Sequence, residues 1–138
     1  MQFASLPLGT DNIIVVLLQT TGLPSDTIIK RAQFLSNVIS AGAVEATFTN
    51  YSRQVQTNTN VVVSVNTSTD VVSLGLASVV WNAAGGAVNN SLSALLVCYR
   101  PTSASADSAI TVLTKHDFVG STTGGNLTAT ITTIATAT

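Results

Sequence analysis

Leu92-Ser93-Ala94-Leu95-Leu96-Val97-Cys98-Tyr99 is apolar on both sides of an extended chain. At a side-chain period of two, Leu92, Ala94, Leu96 and Cys98 fall on one face and Leu95, Val97 and Tyr99 on the other. Such a segment has no face to offer water, which predicts a central strand covered on both sides. Pro101 and the polar residues 102–108 end it, residues 110–119 supply another strand, and residues 120–126 read as a Gly/Ser/Thr turn.

Upstream, Val61, Val63 and Val65 alternate with their neighbours, and Asn66-Thr67-Ser68-Thr69-Asp70 makes a turn. Val72, Leu74 and Leu76 then resume the alternation, which predicts a hairpin. Val79-Val80-Trp81 continues the β pattern up to the paired glycines Gly85-Gly86, which read as a loop. Trp81 is expected to fill core space against the helix described next, with an interface anchor as the alternative.

The helix is signalled by Ser25-Asp26, good N-cap residues placed before a periodic run. Ile28, Ala32, Leu35 and Ile39 recur at helical spacing with Lys30, Gln33 and Asn37 facing away, and Gly42 closes the segment. One helix is therefore expected over residues 25–41, packed over the end of a sandwich. Before it, Ile13 to Leu18 form an apolar strand, preceded by residues 1–12 with Pro7 and Gly9, which read as an extended arm. At the other end Leu127, Ala129 and Ile131 alternate, and the phase shifts at Thr132-Thr133 so that Ile134 has the opposite parity. A strand there either bulges or leaves its sheet; residues from about 132 to 138 are read as an arm or exchange strand onto a neighbour, with fraying as the alternative.

These signals predict a single mainly β domain over residues 1–138: an antiparallel, jelly-roll-like β-sandwich with one helix. A doubly wound α/β fold would need a helix between most strands.

Composition narrows the function. Charged residues are 8% of the 138, against about a quarter in ordinary soluble domains, and the net charge is −1. A surface so poor in charge suits a subunit covered by neighbours. No basic stripe is present for nucleic acid. The longest apolar run, six residues from Ile13, is far short of the roughly 20 a membrane-spanning helix needs. Seven aromatic residues are too few for the girdles of a transmembrane barrel. The start of the chain lacks a signal-peptide pattern, and the lone Cys98 excludes an internal disulfide framework and fits synthesis in a reducing cytoplasm.

Catalytic chemistry finds little to work with. His116 is the only histidine, and its neighbour Asp117 should point to the opposite face of a strand, where it cannot orient the imidazole. Cys98 on a central strand reads as a small buried hydrophobe whose thiol pKa burial would raise. No catalytic, cofactor-binding or metal-binding residue is assigned, and no cofactor is expected: one His and one Cys do not make a zinc site, the six acids are scattered, and neither Gly85-Gly86 nor Gly124-Gly125 continues as a phosphate loop. Asn-X-Ser/Thr triplets begin at Asn50, Asn66, Asn89 and Asn126, as expected by chance in a chain rich in Asn and Thr.

Three segments together carry a resemblance: Ala46-Thr47-Phe48-Thr49-Asn50-Tyr51-Ser52-Arg53, Leu95-Leu96-Val97-Cys98-Tyr99-Arg100-Pro101 and Leu113-Thr114-Lys115-His116-Asp117-Phe118. They resemble a family of small virion structural proteins encoded among the head genes of tailed phages, especially those of actinobacteria, over most of the chain from Ala4 to Thr130. The resemblance implies a decoration or minor capsid protein that binds the major capsid protein, located in the virion after synthesis in the host cytoplasm. It implies a homo-oligomer, with a trimer at threefold positions of the shell. Where the family pattern has an acidic residue after the tyrosine, this chain has Arg100, so a shared charge pairing is not implied there. Tyr51-Ser52-Arg53 is expected to form an ordered corner with Tyr51 buried and Arg53 paired.

The leading expectation is a non-enzymatic protein that cements a capsid shell. Alternatives are a neck or tail component, a surface module that binds host glycans, and a cysteine hydrolase using Cys98 with His116.

Overall fold

The computed structural model describes residues 10–137. Its centre is the antiparallel sheet β2-β1-β6-β7, made of β1 (Asn12–Gln19), β2 (Gln54–Gln56), β6 (Ser91–Arg100) and β7 (Thr111–Ser121). The two middle strands, β1 and β6, are the most apolar segments of the chain. Ile14 to Leu18 and Leu96 to Cys98 are 0% exposed. The central, doubly covered strand expected at residues 92–99 is therefore β6, and β1 is a second one.

Each face of this sheet has its own core. On one face Ile14, Val16, Leu18, Ala94, Leu96 and Cys98 meet the helical segment; on the other Ile13, Val15, Leu17, Leu95 and Val97 meet the remaining strands. Leu92 lies with Leu95 and Val97 rather than with Ala94, against the plain alternation. The cause is a bulge: against β1 the register jumps from Leu18↔Ala94 to Gln19↔Leu92, which leaves Ser93 as the extra residue and turns Leu92 to the other face, while the same step on β7 runs from Asp117 to Gly120.

The helical segment falls where the periodicity puts it but divides into α1 (Asp26–Arg31) and α2 (Leu35–Ser40). Ala32 and Phe34 are extended, and the linker hydrogen-bonds to the start of β7 through Val112 N–H to Gln33 C=O and Leu35 N–H to Ile110 C=O. These tertiary bonds replace the helical ones, and Asn37 Oδ1 accepts from Phe34 N–H at the start of α2. The break resets the helical phase. Ile29, Leu35 and Val38 are buried, whereas Ile28, placed on the inner face by a continuous helix, is 48% exposed. The helices cover a face of the central sheet rather than the end of a sandwich.

The opposite face is covered by two smaller antiparallel sheets, giving two β layers face to face. One contains β3 (Val61–Asn66), β4 (Val71–Leu76) and β9 (Ala135–Ala137) in the order β3-β4-β9; the other pairs β5 (Val79–Trp81) with β8 (Leu127–Ala129). The fold is mainly β and antiparallel, as read from the sequence. The hairpin is present with unbroken register from Val61↔Leu76 to Asn66↔Val71. In its turn Asn66 Oδ1 accepts from Ser68 N–H.

Two expectations need correction. Trp81 is 1% exposed in the core between the β layers, not against the helices, with its indole N–H donated to Ser52 C=O at 2.9 Å. The C-terminal segment is not an arm onto a neighbour over residues 135–137: β9 returns to β4 of its own chain, where Ala135 pairs with Leu74. Ile131 and Ile134 are both buried, and between them the chain passes from the sheet of β5 and β8 to that of β4 and β9, the second of the two outcomes that the phase shift allowed. Of the N-terminal arm expected over residues 1–12, residues 1–9 lie outside the described residues. Asn12 already pairs with Arg100 in the central sheet.

Candidate functional site

A cluster of charged and polar side chains gathers around the corner at Tyr51 to Arg53. Tyr51 donates its phenol O–H to Glu45 Oε1 at 2.8 Å and accepts the Leu17 backbone N–H, while its ring meets Phe48 edge-on at 5.1 Å. Arg53 grips two carboxylates. Its Nε and one terminal nitrogen reach Glu45 at 2.8 and 2.7 Å, and its terminal nitrogens reach Asp107 at 2.7 and 3.2 Å. Each pair is bidentate, the strongest geometry available to a guanidinium. The hydrogen bonds to Glu45 and Asp107 raise the Arg53 pKa further, and burial with Glu45 nearby raises that of Tyr51. The ordered corner expected from the sequence is thus present. Its partners, 8 and 54 residues from Arg53, were not named by it. The cluster fastens the loop after β6 to the segment before β2; no side chain in it is left as an acid, base or nucleophile.

The residues weighed for catalysis are kept apart. Cys98 is 0% exposed on the helix side of the sheet, and burial pushes its thiol up to about 12. His116 stands opposite Leu95, on the other face, with Nε2 2.9 Å from Thr114 Oγ1. Its pKa is lowered by burial, against the opposing pull of Asp117. Asp117 stands opposite Ala94 on the helix side and pairs with Lys115, which also reaches Asp26 at 2.9 Å. The sheet itself separates the thiol from the imidazole, and the imidazole from the carboxylate.

Among the described residues no three His, Cys, Asp or Glu side chains gather as a metal site would require. No helix among them is long and apolar enough to cross a membrane. A cleft of about 290 Å³ lies between α1 and β7, lined by Ile29, Ala32, Val112 and Leu113 with Lys30 and Lys115. Besides those two ammonium ends its lining includes only Thr114 as a polar side chain, and Lys115 is already paired. Arg100 donates through Nε to Asn12 Oδ1 at 2.9 Å.

The four Asn residues of the Asn-X-Ser/Thr triplets are employed in turns. Asn50 donates to Ala83 C=O, Asn66 accepts from Ser68 N–H, Asn89 from Gly86 N–H and Asn126 from Ala83 N–H. Each side chain satisfies a backbone group that a loop would otherwise leave bare.

The exposed surface carries the clearest functional signal. Val62 and Val63 are each 49% exposed and Val65 62%, all on β3, the outer strand of its sheet. Val119 on β7 is 85% exposed. The hairpin's inner face begins in the core, where Val61 packs beside Leu74 and Leu76, and runs outward through Val63 and Val65 beyond the cover of the body. The sequence held this signal in a form the alternation did not reveal: no charged residue occurs from Gln54 to Thr69. No protein-family model matches the chain, and neither a curated protein nor a solved structure matches it.

Proposed function

We propose that this chain is a non-enzymatic virion structural protein that binds the capsid shell and stabilises it, as a decoration or minor capsid protein. The observation that carries the reading is the uncharged, valine-rich projection of β3, on a chain only 8% charged. A domain that stays free in water normally blunts an outer strand with lysine, proline or a bulge. Here the edge is left plain, which suits a surface that a neighbouring subunit covers. The ion-pair corner and the two-sided core supply the stiffness a bridging subunit needs, and the resemblance to phage head proteins points to the shell.

Quantitative mass spectrometry of purified virions from the phage encoding the chain tests the reading. Hundreds of copies per particle, and particles that open at lower temperature or lower salt when assembled without it, are expected. A dozen or fewer copies would move the protein to the neck, and unchanged particle stability would overturn the stabilising role.

A further inference from the structure

We propose that the outer edge of β3 is a pairing site for a second copy of this chain, joined antiparallel about a two-fold axis through Val63. The surface deepens the assembly reading above by naming one interface, and its test on the purified protein is separate from the virion test.

Four observations select this occupant. First, among the described residues β3 has a neighbour on one side only, so the other side of a six-residue strand presents backbone groups that none of them pairs. Second, the strand is self-complementary. With Val63 opposite its own copy, Val61 falls opposite Val65 twice, and Val62 falls opposite Ser64. Opposed residues share a face, so the inner side becomes an unbroken row of valine pairs continuous with Leu74 and Leu76 of both copies. Third, no charge opposes a like charge, because none lies between Arg53 and Asp70. An isologous contact places every residue against its own surface, and charged edges fail that requirement. Fourth, the length matches. The opposite edge of the same sheet is β9, only three residues long, so a head-to-tail ladder would leave half of β3 unpaired. The two-fold arrangement instead joins the sheets as β9-β4-β3-β3-β4-β9 and covers Val63 and Val65, the residues the body leaves bare.

The test uses the full chain. Sedimentation of the wild type is expected to give a dimer. Val63→Lys sets two ammonium groups against each other at the axis and removes two half-exposed valines from the contact, weakening self-association by about 100-fold. Because Val63 is 49% exposed in the single chain, the variant keeps the wild-type melting profile at concentrations where both are monomeric. A second measurement fixes the register. Directly opposed residues lie about 4.5–5.5 Å apart between Cα atoms, within disulfide reach, so Val63→Cys cross-links under mild oxidation. Val65→Cys, opposite Val61 of the other copy, does not; the native Cys98, fully buried, stays silent in both. A monomeric wild type, a trimer, or cross-linking at position 65 as efficient as at position 63 would each overturn the proposal.

Discussion

Replacing Gly75 by alanine puts a methyl carbon where the C-terminal segment already runs. A Cβ at Gly75 would sit 2.5 Å from the Thr132 carbonyl oxygen, 3.0 Å from its carbon and 3.1 Å from the Ile131 oxygen. All three are backbone atoms and cannot swing aside, so the segment at Thr132-Thr133 between β8 and β9 has to lift off β4. What it carries sets the cost. Ile131 and Ile134 are 3% and 8% exposed in the core, and Leu76 N–H to Ile131 and Ile134 N–H to Leu74 hold the segment down. Complete release would lose about 1.5–3 kcal/mol for each isoleucine, and overpacking that is partly relieved by movement costs about 1–3 kcal/mol, so about 2–3 kcal/mol is expected for Gly75→Ala. Gly120 is the internal control, since a Cβ there meets nothing within 4 Å. Urea unfolding followed through Trp81, buried and bonded to Ser52, reads both variants. A double-mutant cycle sharpens the test: in a chain ending at Thr130 the alanine has nothing to strike, and its cost falls to near zero. Gly75→Ala within about 0.5 kcal/mol of wild type, or an equal cost in the shortened chain, would refute the packing of this segment over β4.

Three further outcomes are expected. Arg53→Met strands Glu45 and Asp107 and lowers stability by about 2–3 kcal/mol in urea, less than for a fully buried pair because Arg53 is 27% exposed, and Arg53→Lys, lacking the fork, restores little of it. Burial lowers the His116 pKa below its ordinary 6.5, so the unfolded chain takes up the proton first; stability is complete above 6.5 and is lost as pH falls from there toward the folded-state value, a slope that His116→Gln abolishes in thermal melts across that window. Cys98, buried with its thiol pushed up to about 12, stays unmodified by iodoacetamide at pH 8 in the folded protein and reacts once urea unfolds it; rapid labelling of the native state would revive a nucleophilic role.

Much of the fold was legible because burial on two faces leaves a mark that a strand cannot hide. Leu92 to Tyr99 announced a central strand, Val61 to Leu76 a hairpin, and the broken alternation at Thr132-Thr133 a change of sheet. The remainder depends on partners distant in sequence. Nothing local to residues 32–34 breaks the helix; the edge of β7 does so by offering better hydrogen bonds. Nothing near Ser93 announces the bulge that turns Leu92, and nothing near Trp81 tells which of two cores it fills. The site shows the same division. That Tyr51 and Arg53 form a corner was readable from their residue types, whereas Asp107 reaches Arg53 only through the fold. The overhanging valines were visible as alternation but not as exposure, because alternation is silent about where the covering layer stops.

The position of β1 in the middle of the central sheet has a consequence for how the chain is made. Asn12 and Arg100, at the far end of the β1–β6 ladder, are separated by 88 residues. At about 5–20 residues per second, ribosomal synthesis leaves β1 without its main partner for roughly 4–18 s. During that interval Ile13 to Leu18, six consecutive apolar residues, lack the strand that fills the sheet beside them, although the helices that cover one of their faces have already been made. The nascent chain thus carries its most apolar segment for seconds without its main sheet partner, a demand on chaperone protection that grows with the number of copies being synthesised at once.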